Sequence, residues 1–265
     1  MDWVIFEPAD VYHAQSRSGK YMSSHLLGDF RLSPLLYSKK ILGQIDEKPN
    51  AAFALGSAAH KLILEGREAF DEEYLVSDGP INPKTGECYG KTTKAYAEWF
   101  ATQDREVISA EDFGTCAKFH MSVWLHEVAA SLLSKGVAEG VVRAELEGVP
   151  CQIRMDWFNP EHGLVDFKTC AEVKWFEADA RKFGYYYQMA FYRAVIHART
   201  GVWYPVRFIA VEKCEPYACG VFRLTPDLLD QCDAVVRADL RRYKECLSKN
   251  YWPTGYEKER IIDKL

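Results

Sequence analysis

The segment Gly163-Leu164-Val165-Asp166-Phe167-Lys168-Thr169 constrains the fold more than any other stretch of the chain. Side chains alternate along a β-strand, so Asp166 and Lys168 share one face while Val165 and Phe167 point the other way into a core. A carboxylate and an ammonium set into an apolar strand are costly to bury without a purpose. With a further acidic side chain beside them they describe a divalent-cation site flanked by a lysine, and so phosphodiester hydrolysis. The same acidic-x-Lys spacing recurs at Asp46/Lys48 and Glu172/Lys174, but no apolar strand surrounds either pair.

Upstream, Val141 to Leu146 and Val149 to Phe158 read as two strands joined by a turn at Glu147-Gly148. Asn159 to Gly163 is a turn-rich connection into the third strand. The pattern predicts a three-stranded meander. Arg154 and Asp156 share a face of the second strand, so Asp156 comes alongside Asp166 when the third strand pairs back beside it. Two carboxylates and a lysine then converge.

With 265 residues, 48% of them hydrophobic, the chain can bury one substantial core. The expected organisation is one elaborated α/β domain: a mainly helical part over residues 1–140, a sheet-and-helix part over 141–225, and a C-terminal helix and tail over 226–265. Eight scattered cysteines form no CxxC pair and read as reduced thiols. The start carries no basic region followed by an apolar stretch, and no segment reaches the ~20 apolar residues of a membrane span, so a soluble, cytoplasmic protein is expected. The net charge of −5 argues against nonspecific coating of nucleic acid. It leaves room for a local basic lining, for which Arg31, Lys39, Lys40, Lys91, Lys94, Arg181 and Lys182 are candidates beside the plainer role of solvated surface charge.

Helices are predicted after Ser33-Pro34, over Ala51 to Glu65, over Lys94 to Gln103, over Ala110 to Gly136, over Glu172 to Lys182 and Tyr185 to Ala198 with a break near Gly184, and from the Thr225-Pro226-Asp227 cap to about Leu247. In the fourth of these, Phe113, Ala117, Met121, Trp124, Leu125 and Val128 recur near the helical period and predict a core-facing stripe. His120 and His126 are six apart and make no i,i+4 pair. Residues 78–93 are rich in turn formers, either a flap over a substrate or a plain connection. A last hairpin is predicted over Val206 to Leu224, around Glu215-Pro216. Small residues before His60 allow its helix to approach a sheet closely. Tyr185, Gln188 and Tyr192 share one helical face.

Four stretches together resemble the PD-(D/E)xK nuclease superfamily, and within it the exodeoxyribonuclease VIII (RecE-like) recombination exonucleases of phages and prophages. They are GSAAHKLILE with His60, IRMDW with Asp156, VDFKT with Asp166 and Lys168, and YYYQMAFY with Gln188. The likeness runs from about Ser23 to Gly255. It departs from the superfamily pattern at Met155, where proline would precede the first aspartate, and at Asp166, where many members carry glutamate. The resemblance implies a restriction-endonuclease-like core, a central mixed β-sheet flanked by helices, with a helical N-terminal elaboration. It implies that Asp156, Asp166 and the Phe167 carbonyl hold Mg²⁺ or Mn²⁺, two ions per site, with His60 as an extra ligand and Glu145, rather than Glu147, as a further acidic one. Lys168 would orient or help deprotonate the attacking water, and Gln188 would steady the lysine or a phosphate above Tyr192. Arg154, Lys39, Lys40, Lys91 and Tyr192 are the expected DNA contacts. The implied partners are double-stranded DNA ends, a single-strand annealing protein and further copies of the chain in a ring. Competing expectations are an inert DNA-binding module on the same fold, an iron–sulfur nuclease of the CRISPR-associated or AddB kind, which the cysteine spacing disfavours, and a paired-carboxylate glycosidase, which Lys168 disfavours.

Overall fold

The N-terminal half begins with helices whose starts are written into the sequence as side-chain caps. Ser23, Ser33, Thr93 and Ser109 each accept a backbone N–H from the first turn that follows. The structure, a computed structural model, describes residues 1–45 and 51–261, with side chains from residue 54 in the second stretch. Asp46 and Lys48 lie outside it. The helices are α1 (Ala9–Arg17), α2 (Ser24–Leu32), α3 (Pro34–Ile41), α4 (Ala51–Leu64), α5 (Gly66–Glu73), α6 (Lys94–Phe100), α7 (Ala110–Leu125) and α8 (Glu127–Leu133). Two short strands, β1 (Tyr74–Val76) and β2 (Glu106–Ile108), pair in parallel between them.

The second half builds a five-stranded mixed sheet in sequential order: β3 (Val137–Leu146), β4 (Val149–Asn159), β5 (Gly163–Cys170), β6 (Val206–Glu212) and β7 (Cys219–Arg223). The predicted meander and the last hairpin both form, antiparallel throughout. Within this sheet only the described strands β5 and β6 run parallel. A parallel neighbour needs a long crossover, here a 3₁₀ turn, α9 (Phe176–Lys182) and α10 (Tyr185–Thr200). The chain closes with α11 (Pro226–Lys249), started by Thr225 and Pro226 as expected. No helix among the described residues is long and apolar enough to cross a membrane.

Each face of the sheet carries its own core. Leu164, Cys170, Ile153, Met155 and Phe208 pack with α2, α10 and α11, through Phe30, Phe191 and Leu240. Val165, Phe167, Ile209 and Val211 pack with α4, α7 and α8, through Ile63, Phe119 and Leu132. Sheet residues apolar on both faces are what this sandwich requires.

Two expectations are corrected, and one left open is narrowed. Residues 110–136 are two helices, because the His126 imidazole leaves the helical path and accepts the Ala129 N–H as the cap of α8. The buried stripe of α7 is Cys116, Phe119 and Val123, whereas Met121, Trp124, Leu125 and Val128 are exposed. Both stripes have helical spacing, and which one is covered depends on the facing sheet. Residues 78–93 form a small turn structure with an Ile81–Cys88 bridge. None of them lines the large cleft described below.

Gly163 begins β5 in a left-handed conformation, φ 84°, and a Cβ there would sit 2.3 Å from the Pro205 carbonyl oxygen. Gly163→Ala is therefore expected to lower the unfolding free energy by about 1–3 kcal/mol in urea titration. A neutral result would mean that β5 does not need this close approach.

Candidate active site

The alternation of β3 and β4 fails at one place, and the acidic residues sit there. Met155 faces one core and Trp157 the other, although they are two apart and belong on one face of a regular strand. Opposite the interruption, Glu139 has φ 58°, a left-handed conformation that a non-glycine residue adopts at a cost. On the other side, β4 and β5 pair through Asn159↔Gly163, Phe158↔Leu164 and Trp157↔Val165. The next position in that register places Asp156 opposite Asp166. There the Asp156 carboxylate, rather than a strand carbonyl, accepts the Phe167 N–H at 2.9 Å. The strands part around their aspartates.

Two helices complete the cluster. From α4, the His60 imidazole lies between two carboxylates, Nε2 3.1 Å from Asp156 Oδ2 and Nδ1 3.2 Å from Glu139 Oε1. Glu139 Oε2 meets Arg154 Nε at 2.5 Å. Asp166 is buried, and its Oδ2 faces the Lys168 ammonium at 2.5 Å. From α10, the Gln188 amide donates to Asp166 Oδ1 at 3.4 Å and lies 3.4 Å from the Tyr192 hydroxyl. Lys168 also stands 5.0 Å from the centre of the Tyr185 ring. The expected Tyr185, Gln188 and Tyr192 face thus lines the same cleft as the carboxylates, a cavity of about 1440 Å³.

Asp156, Asp166, Lys168, His60, Gln188, Tyr192 and Arg154 are brought together, with the Phe167 backbone between the aspartates. Glu145 is not. It is exposed beside the hairpin turn, paired with Pro150, six residues along β3 from the cluster. Glu139 occupies the acidic position instead. Lys39, Lys40 and Lys91 line no part of the cleft, and Lys40 is paired with Asp29 at 2.8 Å. Glu172 and Lys174 pair with each other at 2.6 Å on the surface.

Electrostatics follow from crowding. Burial pushes the Asp166 carboxyl well above its usual range, and the Asp156 charge adds to the effect against Lys168. Burial would raise Asp156 too, but the His60 charge and hydrogen bond hold it below its usual range. Burial would lower the His60 imidazole, yet Asp156 and Glu139 carry it up to about 9. Glu139 is raised by burial to about 7. Lys168 is raised by its aspartates despite burial, so it stays a cation.

Among the described residues, no three His, Cys, Asp or Glu side chains stand in ready metal-ligand geometry. The donor set nevertheless fits a hard divalent cation. Asp166 Oδ2 is buried and meets the Lys168 ammonium without good hydrogen-bond geometry, and carboxylates with a backbone carbonyl are the oxygen ligands such ions take. Asp156, Asp166 and the Phe167 carbonyl would hold the ion, with His60 and Glu139 beside them.

A pH dependence follows for the metal-free protein. His60, Glu139 and Asp166 all bind protons more tightly folded than unfolded. Their stabilisation is complete below the unfolded pKa values and is lost as pH rises, through about 7 for Glu139 and about 9 for His60. In chelator, stability should fall by on the order of 3 kcal/mol between pH 6 and pH 9. Added Mg²⁺ should raise Tm more at pH 8.5 than at pH 6. A flat or rising apo profile by thermal circular dichroism would contradict the cluster's electrostatics.

Fold and site define a class: a restriction-endonuclease-like α/β core whose splayed strands carry an aspartate and an Asp-x-Lys pair. The chain belongs to the PDDEXK-like family described as "PDDEXK-like domain of unknown function (DUF3799)", whose model matches residues 23–264. Its fold matches the crystal structure of a protein from Eubacterium rectale described as "Putative exonuclease", with a TM-score of 0.70 over 98% of this chain and 96% of that one, at 18% identity. A search of curated proteins finds no match.

Proposed function

We propose that this chain is a metal-dependent exonuclease that hydrolyses linear double-stranded DNA from the 5′ end, leaving 3′ single-stranded tails for an annealing partner. The observation that carries the proposal is the meeting of Asp156, Asp166 and Lys168 at the mouth of parted strands, with Lys168 2.5 Å from Asp166. The description of the Eubacterium rectale structure supports the exonuclease class. The RecE-like resemblance of the four sequence stretches supports polarity, two Mg²⁺ or Mn²⁺ ions, a ring of several copies and action inside a bacterial or phage-infected cell.

A divalent cation bound by the aspartates would supply Lewis-acid stabilisation of the charge that develops on the phosphate and leaving oxygens. The remaining work belongs to the chain. Lys168, held as a cation, orients the attacking water and offsets negative charge on the five-coordinate phosphorus. Gln188 fixes the Asp166 carboxylate that in turn fixes Lys168. His60, positioned by Glu139, orients the Asp156 carboxylate. The test is digestion of linear and closed-circular duplex, end-labelled on either strand, in Mg²⁺ or chelator. Linear DNA alone should be degraded, the 5′ label released first, and chelator should stop it. Cutting of closed circles, or cutting in chelator, would overturn the proposal.

A further inference from the structure

Strand β7 is an outer strand of the five-stranded sheet, and among the described residues no other strand or bridge pairs with its free side. Two hydrogen bonds frame its pairing with β6, from Leu224 N–H to the Val206 carbonyl at 3.1 Å and from Glu212 N–H to the Ala218 carbonyl at 3.0 Å. Backbone groups of an antiparallel strand turn to alternate sides. Those of Gly220 and Phe222 therefore turn toward β6, with Ala218 and Leu224, while those of Cys219, Val221 and Arg223 turn outward. None of these three finds a backbone partner there among the described residues.

The side chains of the same three residues share one face of the sheet, opposite Val211, Ile209 and Arg207 of β6. Cys219 and Val221 are half-buried against the core beneath α7 and α8. Arg223 is exposed and stands directly across from Arg207, a placement of like charges that costs a sheet stability. Arg207 donates to the His162 carbonyl. Burial and the Arg223 charge both hold its guanidinium below the usual range, and no carboxylate offsets them. The acids of the flanking loops are committed elsewhere, Glu161 to Lys135 at 3.2 Å and Glu215 to Lys118 at 3.4 Å.

We propose that β7 is a docking edge for an extended segment of a partner protein, which adds as a further antiparallel strand with an aspartate or glutamate opposite Arg223 and apolar side chains opposite Val221 and Cys219. Strand addition takes its affinity from main-chain hydrogen bonds and its specificity from alternate side chains. Charge on an edge strand guards against unselective pairing, and here its sign selects the partner: a carboxylate relieves the Arg207–Arg223 repulsion that the chain itself leaves uncompensated. The free backbone groups and the apolar positions beside the arginines favour a peptide over a phosphate backbone. Arg207, Val221 and Arg223 line no part of the catalytic cleft, so the edge is separate from the nuclease site.

The test is fluorescence anisotropy with the full chain and a fluorescein-labelled peptide of the pattern Asp-Thr-Val-Thr-Val, flanked by serines. The aspartate peptide should bind about tenfold more tightly than the same peptide with lysine in its place, and Arg223→Glu should reverse that order at wild-type Tm. N-methylation of the first valine, whose N–H would meet the Val221 carbonyl, should abolish binding, whereas N-methylation of the threonine that follows it should leave binding unchanged. Equal affinity for the two charges, or full binding by the methylated valine peptide, would overturn the proposal. So would failure of every peptide. In that case a duplex DNA affinity that drops in Arg223→Glu would assign the arginines to phosphate, and a wild-type oligomer that Arg223→Glu dissociates in sedimentation would assign the edge to a second copy of the chain.

Discussion

Asp166→Asn and Lys168→Ala are each expected to reduce DNA cleavage by roughly three orders of magnitude or more, while Glu172→Ala leaves it unchanged. Asp166 is the buried carboxylate of the cluster and Lys168 is the cation it holds at 2.5 Å. Asparagine keeps the shape but loses the charge that a divalent cation and Lys168 both need. The metal-free fold should be no less stable for it at neutral pH and above, because burial and the Asp156 charge together disfavour the Asp166 carboxylate more than Lys168 favours it. Glu172 makes an exposed pair with Lys174 at 2.6 Å, of little energetic consequence. Cleavage rates on end-labelled duplex, beside thermal melts, check this. Near-equal activity in all three variants would remove the site from the cluster.

The second large effect separates two glutamates of one strand. Glu139→Gln should lower cleavage by roughly a hundredfold, and Glu145→Gln should change it less than about twofold. Glu139 accepts His60 at 3.2 Å and Arg154 at 2.5 Å. Without its charge the imidazole loses one of the two carboxylates that orient it. Glu145 lies six residues away, about 20 Å at the rise of a strand. The same cleavage assay decides the matter, and a large loss in Glu145→Gln with activity retained in Glu139→Gln would reverse the assignment.

Much of this placement was legible in the chain, including one part that the linear pattern obscured. The Glu147-Gly148 turn sets the β3/β4 register, and counting back from it pairs Glu145 with Pro150 and brings Glu139 opposite Asp156. The same turn residues have φ 51° and 72°, suiting a tight two-residue hairpin. Glu139 escaped notice because the stretch from Gly136 to Gly140 reads as a connection, not a strand. The core face of α7 was legible only as two competing stripes.

Local chemistry in the sequence determined the capped helix starts, the meander, the Asp-x-Lys strand and the helical face of Tyr185, Gln188 and Tyr192, because each depends on residues within a turn or a strand period. Tertiary structure alone decided the rest: which stripe of α7 meets the sheet, where the strands part around Asp156 and Asp166, and that His60 crosses from α4 to bridge Glu139 and Asp156. Those outcomes come from contacts between residues tens of positions apart, formed when two layers of helices close on a twisted sheet. No local period encodes them.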